Sequence, residues 1–284
     1  MWRTPLNEDI YIQHNRKFYD AVTDAWIFIL GKNLHYGYFE TDDMSLDDAS
    51  ELLIERLSSH GNINENSSIL DVGCGIGTPA IRLARKFNCR ILGISTSQRG
   101  VNLANISAKQ HNLQEKISFQ LADALHNKLA DNSFDLAWQM ESSHLIANKR
   151  KLFSETFRVL KSKGKLLLCD LILKNELNFA EIYKYRKELS ILEKSFGKTK
   201  MITLDNYRAI LKETGFTDIK TFDISQYTYP TVHCWRENIS KNKSRILEFF
   251  SETTVNCFMQ SCDILSSFFQ DNILGYGIVT AQSR

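Results

Sequence analysis

The chain has 284 residues, 43% of them hydrophobic and 24% charged, with a formal net charge of +2. That is the composition of an ordinary globular protein, long enough for one α/β domain with insertions, and a charge so near balance gives no reason to expect a nucleic-acid partner. The first thirty residues mix charged and aromatic side chains without an uninterrupted apolar run, so neither a signal peptide nor a membrane anchor is expected and a cytoplasmic location is.

Residues 11–30 and 46–57 carry amphipathic, helix-like patterns. Strand-like and helix-like segments then alternate: a strand over 69–72, a helix over 78–87, a strand over 89–94, a helix over 96–111, strands over 117–120 and 134–139, a helix over 150–160 and a strand over 165–170. This is the pattern of a parallel sheet with crossover helices. Residues 176–200 interrupt it, a helix over 203–214 stops at Gly215, a sixth strand follows over 216–224, residues 231–270 interrupt again, and a last strand covers 275–280. The division expected within a single domain 1–284 is therefore N-terminal helices and a lid over 1–60, a core over 65–172, lid insertions over 173–202 and 226–271, and the end of the sheet over 203–225 and 272–284. The six cysteines are scattered without a Cys-x-x-Cys pair, which reads as buried thiols rather than disulfides or a metal site.

The most specific local feature is Ile69-Leu70-Asp71-Val72-Gly73-Cys74-Gly75-Ile76-Gly77-Thr78, an apolar strand entering three alternating glycines and then a helix. Glycines at such a turn let the backbone bend sharply and let a ligand lie on the main chain. Thr78 stands where a dinucleotide fingerprint needs its third glycine, and the Gly-Lys-Ser/Thr ending of a P-loop is absent. The segment resembles motif I of class I S-adenosylmethionine-dependent methyltransferases, which implies a Rossmann-like, seven-stranded, mostly parallel sheet with helices on both faces and S-adenosyl-L-methionine as cofactor.

Further segments narrow the resemblance. Asn33-Leu34-His35-Tyr36-Gly37-Tyr38-Phe39, Gly93-Ile94-Ser95-Thr96-Ser97, Ala122-Asp123-Ala124, Glu141-Ser142-Ser143-His144 and Asp170 are similar to small-molecule methyltransferases of bacterial secondary metabolism, in particular the rebeccamycin sugar O-methyltransferase branch. The resemblance implies that Gly73, Gly75 and Gly77 carry the cofactor past the backbone, that Asp71 positions its ammonium group, that Tyr36 covers the sulfonium, that Asp123 and Ala124 meet the adenine and that Glu141 lies at the methionyl end. Ser95 stands where many class I enzymes place an acid for the ribose, and the glutamine of the branch is displaced here to Gln98, so Ser95 and Gln98 are the expected ribose contacts.

The same resemblance makes His144 the general base for a hydroxyl acceptor and Asp170 its acidic partner; Leu145 replaces a second histidine of the branch. Positioned imidazoles of this kind contribute roughly 10² to 10⁴-fold to a rate. The expected acceptor is a small natural product. Two alternatives stay open: carbon or nitrogen methylation, for example of a prenyl diphosphate, for which a metal ion and some of the seven Lys and Arg residues in 174–200 would be needed, and a cofactor-binding cyclase that transfers no methyl group.

Overall fold

The computed structural model describes residues 8–284; residues 1–7, the start of the expected N-terminal lid, lie outside the described residues. Two helices, α1 (Glu8–Leu30) and α2 (Leu46–Ser58), precede the first strand, β1 (Ser68–Val72). The core continues through α3 (Thr78–Phe87), β2 (Arg90–Ser95), α4 (Gln98–Gln110), β3 (Ile117–Leu121), β4 (Phe134–Met140), a 3-10 turn (Ser143–Leu145), α5 (Lys149–Val159) and β5 (Leu160–Leu173). The first insertion forms α6 (Phe179–Lys184) and α7 (Arg186–Phe196); α8 (Leu204–Glu213) and β6 (Thr217–Asp223) return to the sheet. Helices α9 (Ser225–Thr228), α10 (Thr231–Lys241), α11 (Lys243–Ile246) and α12 (Glu252–Gln270) build the second insertion before β7 (Leu274–Gln282).

The seven strands lie in the order β3-β2-β1-β4-β5-β7-β6, all parallel except β7, which runs antiparallel to both β5 and β6. Strand β5 is longer than the apolar run over 165–170 indicates, because Leu160 at its start pairs with Phe134 of β4 and its end pairs with β7 as far as Leu173 opposite Leu274. Partner pairing, invisible in local hydropathy, sets its length. Helix α4 starts at Gln98 rather than 96 because the Ser97 hydroxyl caps it, accepting from the Gly100 N–H at 3.0 Å.

Side chains alternate across the sheet, so each strand feeds two cores. Ile69, Ile91, Leu136, Trp138 and Leu167 pack under α2, α3, α10 and α12, whereas Leu70, Val72, Ala137, Leu166 and Leu168 pack against α5 and α8. Strand order reverses between β1 and β4, where an open α/β sheet leaves a crevice beyond its carboxyl ends. Helix α1 crosses that crevice. Its Asp20 accepts from the Ser97 hydroxyl at 2.7 Å and from the Arg99 N–H at 3.0 Å, which fastens it to the start of α4.

Candidate functional site

One cavity of about 220 Å³ opens over the carboxyl ends of β1, β2 and β4, far larger than the water-sized voids of an ordinary interior. Tyr36, Gly73, Gly75, Ser95, Asp123, Ala124, Glu141 and His144 line it. Asp71, Gly77 and Asp170 stand behind the wall as supports. Gln98 is not brought to it: that side chain is exposed and bonds Asn102 on α4 at 2.9 Å. Moving the glutamine two places earlier than in the branch puts it on the first turn of α4, facing solvent.

The three glycines have different reasons to be glycine. All take positive φ, +83° at Gly73, +52° at Gly75 and +82° at Gly77, a region costly to other residues. A Cβ on Gly73 would stand 2.3 Å from that of Ser142, and one on Gly77 2.6 Å from the Phe119 ring; these two allow close packing of the loop on β4 and β3. A Cβ on Gly75 would meet nothing within 4 Å and would project from the cavity wall. Of the three, Gly75 leaves room for a ligand.

Around this cradle the polar groups favour a cation. Asp71 is buried, its Oδ2 has no hydrogen-bond partner, and burial, opposed by nearby His35, pushes its carboxyl up to about 7. Glu141 accepts from the Tyr36 N–H at 2.9 Å and the Tyr276 hydroxyl at 2.7 Å, and its second oxygen lies 3.3 Å from His35 Nδ1. Ser142, next in the chain, ties β4 to β1 through a 2.6 Å bond to the Val72 carbonyl. Among the described residues no Lys or Arg lines the cavity. Asp123 and Glu141 in the wall, Asp71 behind it, an open glycine turn and an apolar slot of Ile76, Ile94, Ala122 and Leu125 fit a molecule that carries an ammonium, a sulfonium and a flat base.

At the other end of the cavity Asp170 is fully buried at the carboxyl end of β5. Its Oδ1 accepts from His144 Nδ1 at 2.5 Å and the Leu171 N–H at 2.8 Å; its Oδ2 accepts from the Ser143 hydroxyl at 2.6 Å and the His144 N–H at 2.8 Å. Burial alone would raise this carboxyl, yet the His144 ring and these donors hold it below the usual carboxylate range. The 3-10 turn after β4 aims both Ser143 and His144 at Asp170. With Nδ1 taken, Nε2 is the ring nitrogen that His144 offers to the cavity.

Composition and motifs do not reveal the frame around this pair. Asn15 of α1 donates to the carbonyls of Leu145 at 3.1 Å and Lys198 at 3.0 Å and accepts from the Lys198 N–H at 2.9 Å. The buried Lys149 amine donates to the carbonyls of Ile146 and Lys200, the latter at 2.7 Å, and the Lys200 N–H reaches the His144 carbonyl at 2.7 Å. Burial pulls this amine down to about 7, opposed by Asp170. Tyr207 touches the Ser143 hydroxyl at 2.5 Å. A lone lysine at a helix start carries no signal of burial; only its two carbonyl partners, one of them 51 residues away, reveal the role.

The insertions contribute unequally. Of their aromatic residues only Phe196 and Trp235 line the cavity, while Phe179, Tyr183 and Phe249 are exposed. The basic residues of 174–200 face elsewhere: Lys184, Arg186, Lys187, Lys194 and Lys200 are exposed, Lys174 pairs with Asp223, and Lys198 lies 3.7 Å from Glu193. Among the described residues no helix is long and apolar enough to cross a membrane, and no group of three or more His, Cys, Asp or Glu side chains stands close enough to hold a metal ion.

The family profile described as mycolic acid cyclopropane synthetase matches residues 7–276. The 27-O-demethylrifamycin SV methyltransferase of Amycolatopsis mediterranei (strain S699) is 30% identical over 266 residues, 94% of this chain and 95% of that protein. The [4+2]-cyclase SpnF superposes with a TM-score of 0.82 at 25% identity, covering 96% of each chain. The mycolic acid cyclopropane synthase CmaA1, complexed with SAH and CTAB, superposes with a TM-score of 0.87 at 19% identity, covering 96% of this chain and 98% of its own.

Proposed function

We propose, from the premise that the chain belongs to the mycolic acid cyclopropane synthetase family of S-adenosylmethionine-dependent methyltransferases, that it methylates a hydroxyl of a small natural product with His144 as general base. The observation that carries this reading is the buried 2.5 Å bond between His144 Nδ1 and Asp170 Oδ1, with the same imidazole in the wall of the cavity. When bound, S-adenosylmethionine supplies a methyl group on a sulfonium, a good leaving group, so the protein has to align the acceptor and, for an alcohol, remove a proton.

Each side chain then has one task. Gly75 gives the cofactor room on the main chain, Glu141 faces its positive charge with Asp71 adding negative charge from behind the glycine loop, Ser95 sits at the ribose, and Asp123 and Ala124 border the base. Tyr36, held by Glu141 through its own N–H, presents its ring to the sulfonium. His144 Nε2 takes the hydroxyl proton as the oxygen attacks, and Asp170, ionised throughout, keeps Nδ1 protonated and stabilises the imidazolium. The His-Tyr-Gly-Tyr and Glu-Ser-Ser-His segments support the narrower placement beside the rebeccamycin sugar O-methyltransferase branch.

The test is incubation with methyl-labelled S-adenosylmethionine and a panel of hydroxylated macrolactones, ansamycins and glycosides. An O-methyl product formed one for one with S-adenosylhomocysteine is expected. Label on carbon or nitrogen, or turnover of a panel member without S-adenosylhomocysteine, contradicts the reading.

A further inference from the structure

The lid wall of the cavity is built from rings that carry buried polar atoms without partners. Trp26 of α1, Tyr36 of the loop after it and Trp235 of α10 all line the cavity and are 6%, 2% and 3% exposed. The indole N–H of Trp26, the Tyr36 hydroxyl and the indole N–H of Trp235 have no hydrogen-bond partner among the described residues. The rings form one continuous surface: the Trp26 centroid lies 6.2 Å from that of Phe196, Phe196 lies 6.0 Å from Trp235, and Trp235 lies 4.6 Å from Tyr36. A buried donor left unpaired is costly, so three in one wall call for an explanation.

An indole N–H can only donate, and the surrounding wall, Leu192, Met201, Leu265 and Leu274, is apolar. A ligand that completes this wall is therefore an oxygen-bearing apolar body. It is also uncharged or cationic: among the described residues no Lys or Arg lines the cavity, Asp123 and Glu141 do, and the basic residues of the first insertion point away or are paired. Burying a phosphate here would leave its charge uncompensated.

We infer that the acceptor is a neutral, largely apolar molecule whose carbonyl or ether oxygen is read by the indole N–H groups of Trp26 and Trp235, and that phosphorylated acceptors are excluded. The inference rests on the reading of this cavity as the methyl-transfer site, but not on His144 or on O-methylation.

The experiment measures binding to the full chain saturated with S-adenosylhomocysteine, by calorimetry, with cyclododecanone as a neutral apolar ketone, cyclododecane as its hydrocarbon and geranyl diphosphate as the charged probe. The ketone is expected to bind more tightly than the hydrocarbon, and geranyl diphosphate not to bind. Trp26→Phe and Trp235→Phe keep a ring in place but delete the donor, so each should weaken the ketone roughly tenfold and leave the hydrocarbon unchanged. If the variants do not fold, the ketone-to-hydrocarbon ratio on the unaltered chain decides. Equal affinity for ketone and hydrocarbon, tight binding of geranyl diphosphate, equal losses for both neutral probes, or no binding of the ketone overturns the inference. The readout is binding and needs no methyl transfer, so a failed base assignment and a failed acceptor class are separable.

Discussion

At the scale of single residues, the glycine loop separates a ligand position from a packing position. Gly75→Ala adds a methyl where no protein atom stands within 4 Å, so folding should suffer only the strain of a positive φ, about 1–2 kcal/mol, while affinity for S-adenosylhomocysteine is lost. Gly77→Ala places its methyl 2.6 Å from Phe119 and 2.9 Å from Ala104, and overpacking of that kind costs about 1–3 kcal/mol on top of the same strain. Thermal melts paired with calorimetric titration check both; a Gly75→Ala protein that binds normally places the cofactor elsewhere. The sequence shows three equivalent glycines, because what a missing Cβ makes room for depends on strands β3 and β4, distant in the chain.

Asp71 gives a pH signature. Its folded carboxyl is raised to about 7 from an ordinary value near 4, so the folded state holds the proton more tightly than the unfolded one. The resulting stabilisation is complete below about pH 4 and is lost as pH rises through about 7. Asp71→Asn should therefore gain stability relative to the unaltered chain as pH rises from about 4 to about 7, in the absence of cofactor, and lose affinity for it. Cofactor binding to the unaltered chain should take up the carboxylate form, so the melting shift given by S-adenosylhomocysteine should grow across the same interval. A stability difference flat in pH would contradict this.

At the scale of elements, α1 and the first insertion are fastened to the turn that carries His144 by few bonds. Among the described residues, Asn15 supplies the side-chain hydrogen bonds from α1 to Leu145 and to Lys198 after α7. Asn15→Ala leaves two partly buried carbonyls and one N–H without this partner and should destabilise by about 1–3 kcal/mol. Turnover should fall while affinity for S-adenosylhomocysteine holds, since the cradle at Gly75 is untouched; an equal loss of both would make Asn15 a general structural support. Hydrogen exchange should slow over residues 11–40, 176–200 and 231–270 when cofactor and acceptor are added, with little change in β1, β4 and β5. Uniform protection would argue against moving lids. The existence of these insertions was legible as breaks in the strand–helix alternation. Which of their aromatics reach the cavity was not: Phe179, Tyr183, Phe196 and Trp235 look alike in sequence, and only packing turns the first two to solvent and the last two inward.

At the scale of the molecule, the seven strands and the crossover helices were readable because parallel strands buried on both faces form short apolar runs punctuated by glycine and capping residues. Strand pairing was not, which is why β5 is longer than its apolar centre. The candidate site was legible where it follows strand ends, as with Asp71, Glu141, His144 and Asp170. It was illegible where it depends on residues far apart, as with Asn15, Lys149 and the two indoles. The departure at Gln98 shows the limit of motif alignment: a shift of two positions on a helix moves a side chain from the crevice to solvent.

The proposed role of the His144–Asp170 pair is tested by the rate of a single methyl transfer. With labelled S-adenosylmethionine bound to excess enzyme and the hydroxylated acceptor identified by the panel, His144→Ala should transfer roughly 10² to 10⁴-fold more slowly than the unaltered chain. Affinity for S-adenosylhomocysteine should be unchanged. Transfer at the rate of the unaltered chain would contradict the base assignment and move the chemistry to an acceptor that loses no proton in the step.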